Sequence, residues 1–238
     1  QQEESLKDNK NSDKIELKRA YVEGKVGGVA VLAGHWNEFF YNANILDAWV
    51  DGVRFTYGDD VKVSAIVGKS VNDGELLDGD LFAVNVATKV GAVDVSANWF
   101  KAEEATTALD GKEIYNVNVA FDVAKDTRLS YEYMWGDKKY LENVSKDGFW
   151  ARLDYKGADV SVPGSYGVHA QLFDQPRNAW LSPTTDAAWF DDGYEGWGVG
   201  VDYTLAKNIQ LCVNYYDTEA IKADQKDEVI FSELYFFF

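Results

Sequence analysis

Side chains able to drive covalent or acid–base chemistry are scarce in this sequence of 238 residues: two histidines, His35 and His169, and a single cysteine, Cys212. A hydrolase needs a nucleophile with a base beside it, or a carboxylate cluster, where substrate can reach. Neither histidine stands in a recognisable serine or aspartate motif, so the residue types point away from catalysis. One cysteine excludes an internal disulfide and any multi-cysteine metal site. The acidic stretches Asn72-Asp-Gly-Glu75 and Asp191-Asp-Gly-Tyr-Glu195 offer calcium-type oxygens. They lack the spaced ligands of an EF-hand loop and read as solvated loops. No cofactor and no metal is expected.

A second set of polar residues recurs at alternate positions. It comprises Arg19, Glu23 and Lys25, then Arg54, Lys62 and Lys89, then Asp94, Asn98, Asn116, Asn118 and Asp122. It continues through Arg128, Glu132, Arg152, Asp154, Lys156, His169, Gln171, Asp202 and Asn214. A spacing of two places such residues on one face of a β-strand. Bases and acids are of comparable number, which is the chemistry of a wetted wall that orients water and polar solutes and performs no reaction.

The elements that would carry this wall are legible as period-two alternation from residue 15 onward. Tyr115, Val117, Val119, Phe121 and Val123 interleave with Asn116, Asn118 and Asp122; Leu129, Tyr131, Tyr133 and Trp135 face away from Arg128, Ser130 and Glu132. About thirteen strands follow, near 14–26, 28–36, 47–58, 60–69, 79–90, 92–101, 111–123, 127–137, 148–157, 164–174, 193–205, 208–217 and 227–238. Their links alternate. Short ones such as Gly27-Gly28, Gly58-Asp59-Asp60, Gly91 and Ala206-Lys207-Asn208 carry turn chemistry, and longer polar or aromatic ones lie near 37–46, 70–78, 102–110, 138–147, 175–192 and 218–226.

Short turns at one end and long loops at the other characterise an antiparallel transmembrane β-barrel. Tyr57, Tyr155, Tyr203 and Phe238 fall at short-turn ends, and Trp99, Tyr133, Trp135, Phe149, Trp197 and Tyr215 near long-loop ends, two girdles for two membrane interfaces. A soluble all-β core is the competing reading of the same aromatics. No apolar run reaches the roughly 18 residues a spanning helix needs; the longest, Val26 to Gly34, is glycine-rich. With 40 Asp and Glu against 23 Lys and Arg, a net charge of −17 disfavours nucleic acid as a partner.

The fold expected is therefore all-β, one barrel domain over residues 1–238 in a bacterial outer membrane. The polar start QQEESLKDNKNSDK shows no basic-then-apolar leader. An odd strand count with a short-turn-side C-terminus places residues 1–13 in an extracellular loop, because single-chain barrels carry even numbers of strands. Upstream strands, roughly three of them, would then complete a barrel of about sixteen. A split or missed strand is the alternative.

Glu16-Leu-Lys-Arg-Ala-Tyr-Val-Glu-Gly-Lys-Val-Gly-Gly28, Leu32-Ala-Gly-His-Trp-Asn-Glu38, Val50-Asp-Gly-Val-Arg-Phe-Thr-Tyr57, Pro163-Gly-Ser-Tyr-Gly-Val-His-Ala-Gln-Leu-Phe173 and the phenylalanine end resemble the barrel of OmpM-type outer-membrane porins of diderm Firmicutes such as Veillonella and Selenomonas. The resemblance spans nearly the whole chain on short, non-catalytic motifs. It implies a water-filled pore for ions and small hydrophilic solutes, outer-membrane lipid as surroundings and a homo-trimer. In that family an S-layer-homology domain grips peptidoglycan, and that tether depends on a domain absent from this sequence.

Two aromatic loops, Trp36 to Asn44 and Gln175 to Phe190, are expected to fold inward as a constriction or to touch a neighbouring subunit, since their rings are costly to leave wet. Most of the excess negative charge falls in loops and at strand rims, which favours cations, while Arg19, Arg54, Arg128 and Arg152 offer an anion-attracting ladder. Each arginine has an alternative as a wall contact with a carboxylate. A plugged, purely structural barrel and an outer-membrane hydrolase are the rival functions.

Overall fold

The computed structural model describes residues 19–40, 42–71, 78–103 and 111–238. The expected extracellular loop at 1–13, the start of the first expected strand and the 72–75 acidic stretch lie outside them.

Thirteen strands form one sheet in strict chain order, every neighbour antiparallel. They are β1 (Ala20–Val26), β2 (Val29–Phe39), β3 (Asp47–Tyr57), β4 (Val61–Val71), β5 (Asp78–Val90), β6 (Val93–Glu103) and β7 (Lys112–Ala124). They continue as β8 (Thr127–Gly136), β9 (Asp147–Lys156), β10 (Tyr166–Pro176), β11 (Gly193–Ala206), β12 (Ile209–Ala220) and β13 (Lys226–Phe236). Among the described residues β1 pairs only with β2 and β13 only with β12. The short turns hold the left-handed backbone that their residues tolerate: φ is 57° at Gly27, 94° at Gly58, 62° at Gly91 and 65° at Asn208.

Opposed residues share a face, so the register sorts the side chains. Val117, paired with Ala97 and Tyr133, faces outward, as do Leu153, Leu172, Val199 and Ile230, all exposed. Aromatic pairs stud this surface near the long-loop end: Tyr115 on Trp135 at 5.6 Å between centroids and Trp197 on Tyr215 at 5.5 Å. Their polar ends find partners, as Trp99 Nε1 donates to Glu113 Oε2 at 3.0 Å and the Tyr115 hydroxyl donates to it at 2.6 Å. An apolar face with wet-ended aromatics at its margin is what a membrane interface requires.

The inward face is divided. Toward the short turns it is polar. Toward the long loops Leu32, Val50, Ile66, Leu81, Phe100, Ile114 and Met134 point inward and are buried, forming one cluster with Ile45, Leu46, Ala179, Leu181 and Phe190 from the loops. The expectation of a polar inner set is corrected there, because inward-folded loops keep water off that part of the wall.

Candidate functional site: a loop constriction over a charge-balanced lumen

Both aromatic loops fold inward and bind each other. Leu181 N and Ser182 N donate to Ile45 O at 3.1 and 3.0 Å, Asp47 N donates to Ser182 O at 2.6 Å, and Thr184 N donates to Ala43 O at 3.1 Å. Leu46 and Ser182 form a short parallel bridge. A buried Trp180 anchors the second loop: its Nε1 donates to Gln175 O at 3.1 Å, and the Arg177 guanidinium lies 4.0 Å from its ring centroid. Burial pulls the Arg177 pKa down to about 10, which leaves it charged at neutral pH. Lys112 Nζ, at the loop end of β7, donates to Arg177 O at 2.9 Å and to Trp180 O at 2.7 Å, the latter carbonyl also accepting from Arg177 Nη1 at 3.3 Å.

The first loop is fastened across the barrel. Asn44 Nδ2 donates to Glu132 Oε2 on β8 at 2.8 Å, with Asn42 Nδ2 more distant at 3.4 Å. Glu132 also terminates a chain of amides across the wall. Asn85 donates to Asn98 at 2.5 Å, Asn98 to Asn116 at 2.6 Å, and Asn116 to Glu132 Oε1 at 2.5 Å. Glu132 and Asn116 are thus inward-facing but buried, and their polar atoms are spent on holding strands and loop together.

Below the loops the wall carries paired charges. Arg128 bridges Asp94 and Asp122, the latter at 3.3 Å, and Lys89 Nζ lies 3.5 Å from Asp94. Arg152 Nε donates to Asp154 Oδ1 at 2.8 Å. Higher up, Arg54 Nη1 donates to Glu38 Oε2 at 2.9 Å, and that carboxylate also accepts from Trp36 Nε1 at 2.7 Å. Glu23 faces inward opposite Leu32, and Lys62 opposite Ala87. Arg19 departs from the alternation: it precedes β1, and its guanidinium lies 5.8 Å from the ring of Trp49, which faces outward beside His35. The ladder that enforces alternation begins only at Ala20, so period two says nothing reliable about Arg19.

His169 and His35 lie on opposite faces of the wall. His35 Nδ1 is 2.7 Å from Asp51 Oδ1 on the outward side. His169 is buried on the inward side, opposite Asp154 and Gly200, and a Cβ at Gly200 would occupy the space of the His169 ring and of Asn214 Oδ1. Asp202 is inward too, opposite Cys212. Among the described residues no group of three His, Cys, Asp or Glu is placed to hold a metal ion.

Three cavities open onto this face, the most voluminous, about 860 Å³, at the short-turn rim between Asp122, Arg128, Asp154 and the Val162–Tyr166 segment. One of about 520 Å³ lies between the loop tip at Asn42 and the β3–β4 turn, against β4 to β8. A smaller one of about 260 Å³ lies directly under the loops, lined by Asn44, Arg152, Gln171, Asp186 and Tyr216. Burial there, with Glu233 nearby, raises the Asp186 pKa above the usual carboxylate range.

No protein-family model and no curated protein matches the sequence. Solved structures do. A Rh. blastica porin superposes with a TM-score of 0.58 at 13% identity, covering 90% of this chain and 75% of that one. Pseudomonas aeruginosa OpdL gives 0.62 at 12%, covering 87% and 67%, and Pseudomonas aeruginosa OccK5 (OpdH) gives 0.60 at 12%, covering 91% and 70%. The chain has the porin fold. Identities this low speak for architecture alone.

Proposed function

We propose that this chain forms the wall of a water-filled channel in a bacterial outer membrane, through which ions and small hydrophilic solutes diffuse without a catalytic step. The observation that carries the reading is the sidedness of the sheet. An exposed apolar outer face with aromatic margins backs an inner face whose lower half is ion pairs and amides around a cavity of about 520 Å³. Glu23, Arg54, Lys62, Lys89, Asp94, Asn116, Asn118, Asp122, Arg128, Glu132, Arg152, Asp154, His169 and Asp202 are the residues proposed to act on permeation, directly or by holding the wall that does, whereas Arg19, packed on the outward Trp49, leaves that set.

The OmpM-type assignment is proposed on the quoted resemblances, and a homo-trimer with it. Support for a subunit contact comes from the outer face of β2 to β5, where His35–Asp51 and Lys69–Asp80, the latter at 3.3 Å, would face lipid unless another protomer covers them. Mid-wall residues there, such as Ala33, Val53, Ala65 and Val84, are small enough for close approach. Any peptidoglycan tether would belong to a domain outside this sequence.

Folded protein in a planar bilayer tests the channel: discrete, ohmic current steps are expected, and their complete absence refutes it. The seated apolar loops favour one rival, a plugged structural barrel, and the same recording decides between the two.

A further inference from the structure

Lys156 closes β9 at the short-turn end, and the alternation of that strand expects it inward, opposite Gly167. Its backbone leaves that register: φ is 59°, in the left-handed region that a lysine rarely adopts. The ammonium ends among tyrosines of the outward rows. Lys156 Nζ donates to the Tyr166 hydroxyl at 3.0 Å and lies 4.5 Å from the centroid of that ring and 5.4 Å from that of Tyr155. Tyr203, opposite Tyr166, completes an exposed aromatic patch. From it Leu153, Val168 and Val201 carry exposed apolar surface toward the middle of the wall.

Lys69, Lys89, Lys101 and Lys226 each sit beside a carboxylate. Lys156 makes no ion pair among the described residues, and the Asp126 charge acts on it only from beyond contact distance. The large cavity at the short-turn rim reaches the same place from the lumen side, where Asp122 and Asp154 are taken by Arg128 and Arg152. An ammonium that has given one N–H to Tyr166 keeps two, and a phenol whose oxygen accepts from it keeps its O–H to give. The free capacity is therefore all donor with a positive charge beside it, which favours the oxygens of a phosphate over a neutral or cationic group. With the outer face in a membrane, this rim stands at the level of lipid headgroups, and the apolar surface next to it at the level of their chains.

We infer that Lys156 and Tyr166 form a phosphate site for a glycerophospholipid of the leaflet on the short-turn side, its acyl chains lying along Leu153, Val168 and Val201. The inference rests on the membrane reading of the outer face and not on conduction. The probes are phosphatidylglycerol and diacylglycerol with the same short chains, added to folded full-length chain in detergent and counted as retained adducts by native mass spectrometry. Folding of each variant is checked by its heat-modifiable migration on gels.

Phosphatidylglycerol should be retained about fivefold more tightly than diacylglycerol, or more, the effect of one interfacial lysine on a lipid phosphate. Lys156→Gln should remove that advantage, and Tyr166→Phe, which deletes one donor, should weaken phosphatidylglycerol by about threefold. Lys125→Gln takes the same charge from the exposed neighbouring turn and should change retention by less than about twofold. The site is overturned by equal retention of the two lipids, by Lys156→Gln and Tyr166→Phe both binding like wild type, or by Lys125→Gln costing as much as Lys156→Gln. Inorganic phosphate that displaces the lipid at equal concentration makes the partner a soluble anion and overturns it too. If Lys156→Gln does not fold, Tyr166→Phe and the comparison of lipids decide. Bilayer current from the same preparation separates the two claims: current without selective retention removes only this site, and selective retention without current removes only the channel.

Discussion

Asn44→Ala should loosen the constriction without disturbing the barrel. Asn44 lies outside every strand, and its Nδ2 donates at 2.8 Å to a Glu132 carboxylate that is 2% exposed and sits 88 positions along the chain. A hydrogen bond to a buried charge is worth about 1.5–3 kcal/mol. The other donor from this loop, Asn42 Nδ2 at 3.4 Å, is too long to compensate. At about 1.4 kcal/mol per tenfold, the equilibrium between seated and released loop moves roughly 10- to 150-fold toward release. In single-channel recordings, the time spent at a larger conductance level should rise by that factor, and burial makes the effect persist at high salt. A cycle with Glu132→Gln should return a coupling of the same size. Dwell times identical to wild type, together with unchanged protection of the 40–46 segment from protease, would refute the latch.

Trp180→Ala removes a fully buried ring, its bond to Gln175 O and its contacts with Arg177 and Trp189; a loss of about 3–5 kcal/mol should expose the 177–192 segment to protease while the barrel stays resistant. Gly200→Val drives a side chain into His169 and Asn214 and should lower the yield of heat-modifiable, folded protein, with Gly157→Ala, where a Cβ meets nothing within 4 Å, as the tolerant control. Asp186 has a raised pKa in the seated loop, so the seated state holds more protons than a released one. Seating therefore strengthens as pH falls and weakens as pH rises through that raised value, and Asp186→Asn should flatten the pH dependence of conductance. With the acidic excess outside the cavity, cation preference measured by reversal potential should shrink between about 0.1 and 1 M salt, as the Debye length falls from about 10 to 3 Å.

The strands were legible because each buries one face differently from the other. The expected 111–123 strand is Lys112–Ala124, and the odd residues Tyr115 to Phe121 face outward as the alternation implies. What alternation hid is the upper inner wall. Phe100 follows Trp99, Ile114 precedes Tyr115, and Met134 stands between Tyr133 and Trp135, so the strand ends are apolar on both faces and carry no period-two signal. The aromatic content of the two loops was the available sign that something apolar waited inside for them. The role of Glu132 was not readable at all: as one inward carboxylate among many, it is distinguished only by a loop that reaches it from across the barrel. Each of Arg54, Arg128 and Arg152 met a carboxylate, the plainer of the two readings open at the start.

The division of the inner wall also explains how an aromatic-rich chain with a charge of −17 keeps a polar inner surface beside its buried rings. If the loops had packed on a polar wall, their rings would have desolvated charges without replacing the lost hydrogen bonds, a cost of several kcal/mol per ion. Placing Leu81, Phe100 and Ile114 opposite Leu46 and Leu181 removes that cost and lets the loop backbone be satisfied by a few directed donors, Lys112 and Asn44 among them. The polar half of the wall is then free to balance its charges locally, three bases against three acids around the cavity beside Asn42. The long-range field belongs to the exposed acids elsewhere. In the channel proposed above, cation preference would follow the exposed acids and would be separable by mutation from the paired charges of the wall.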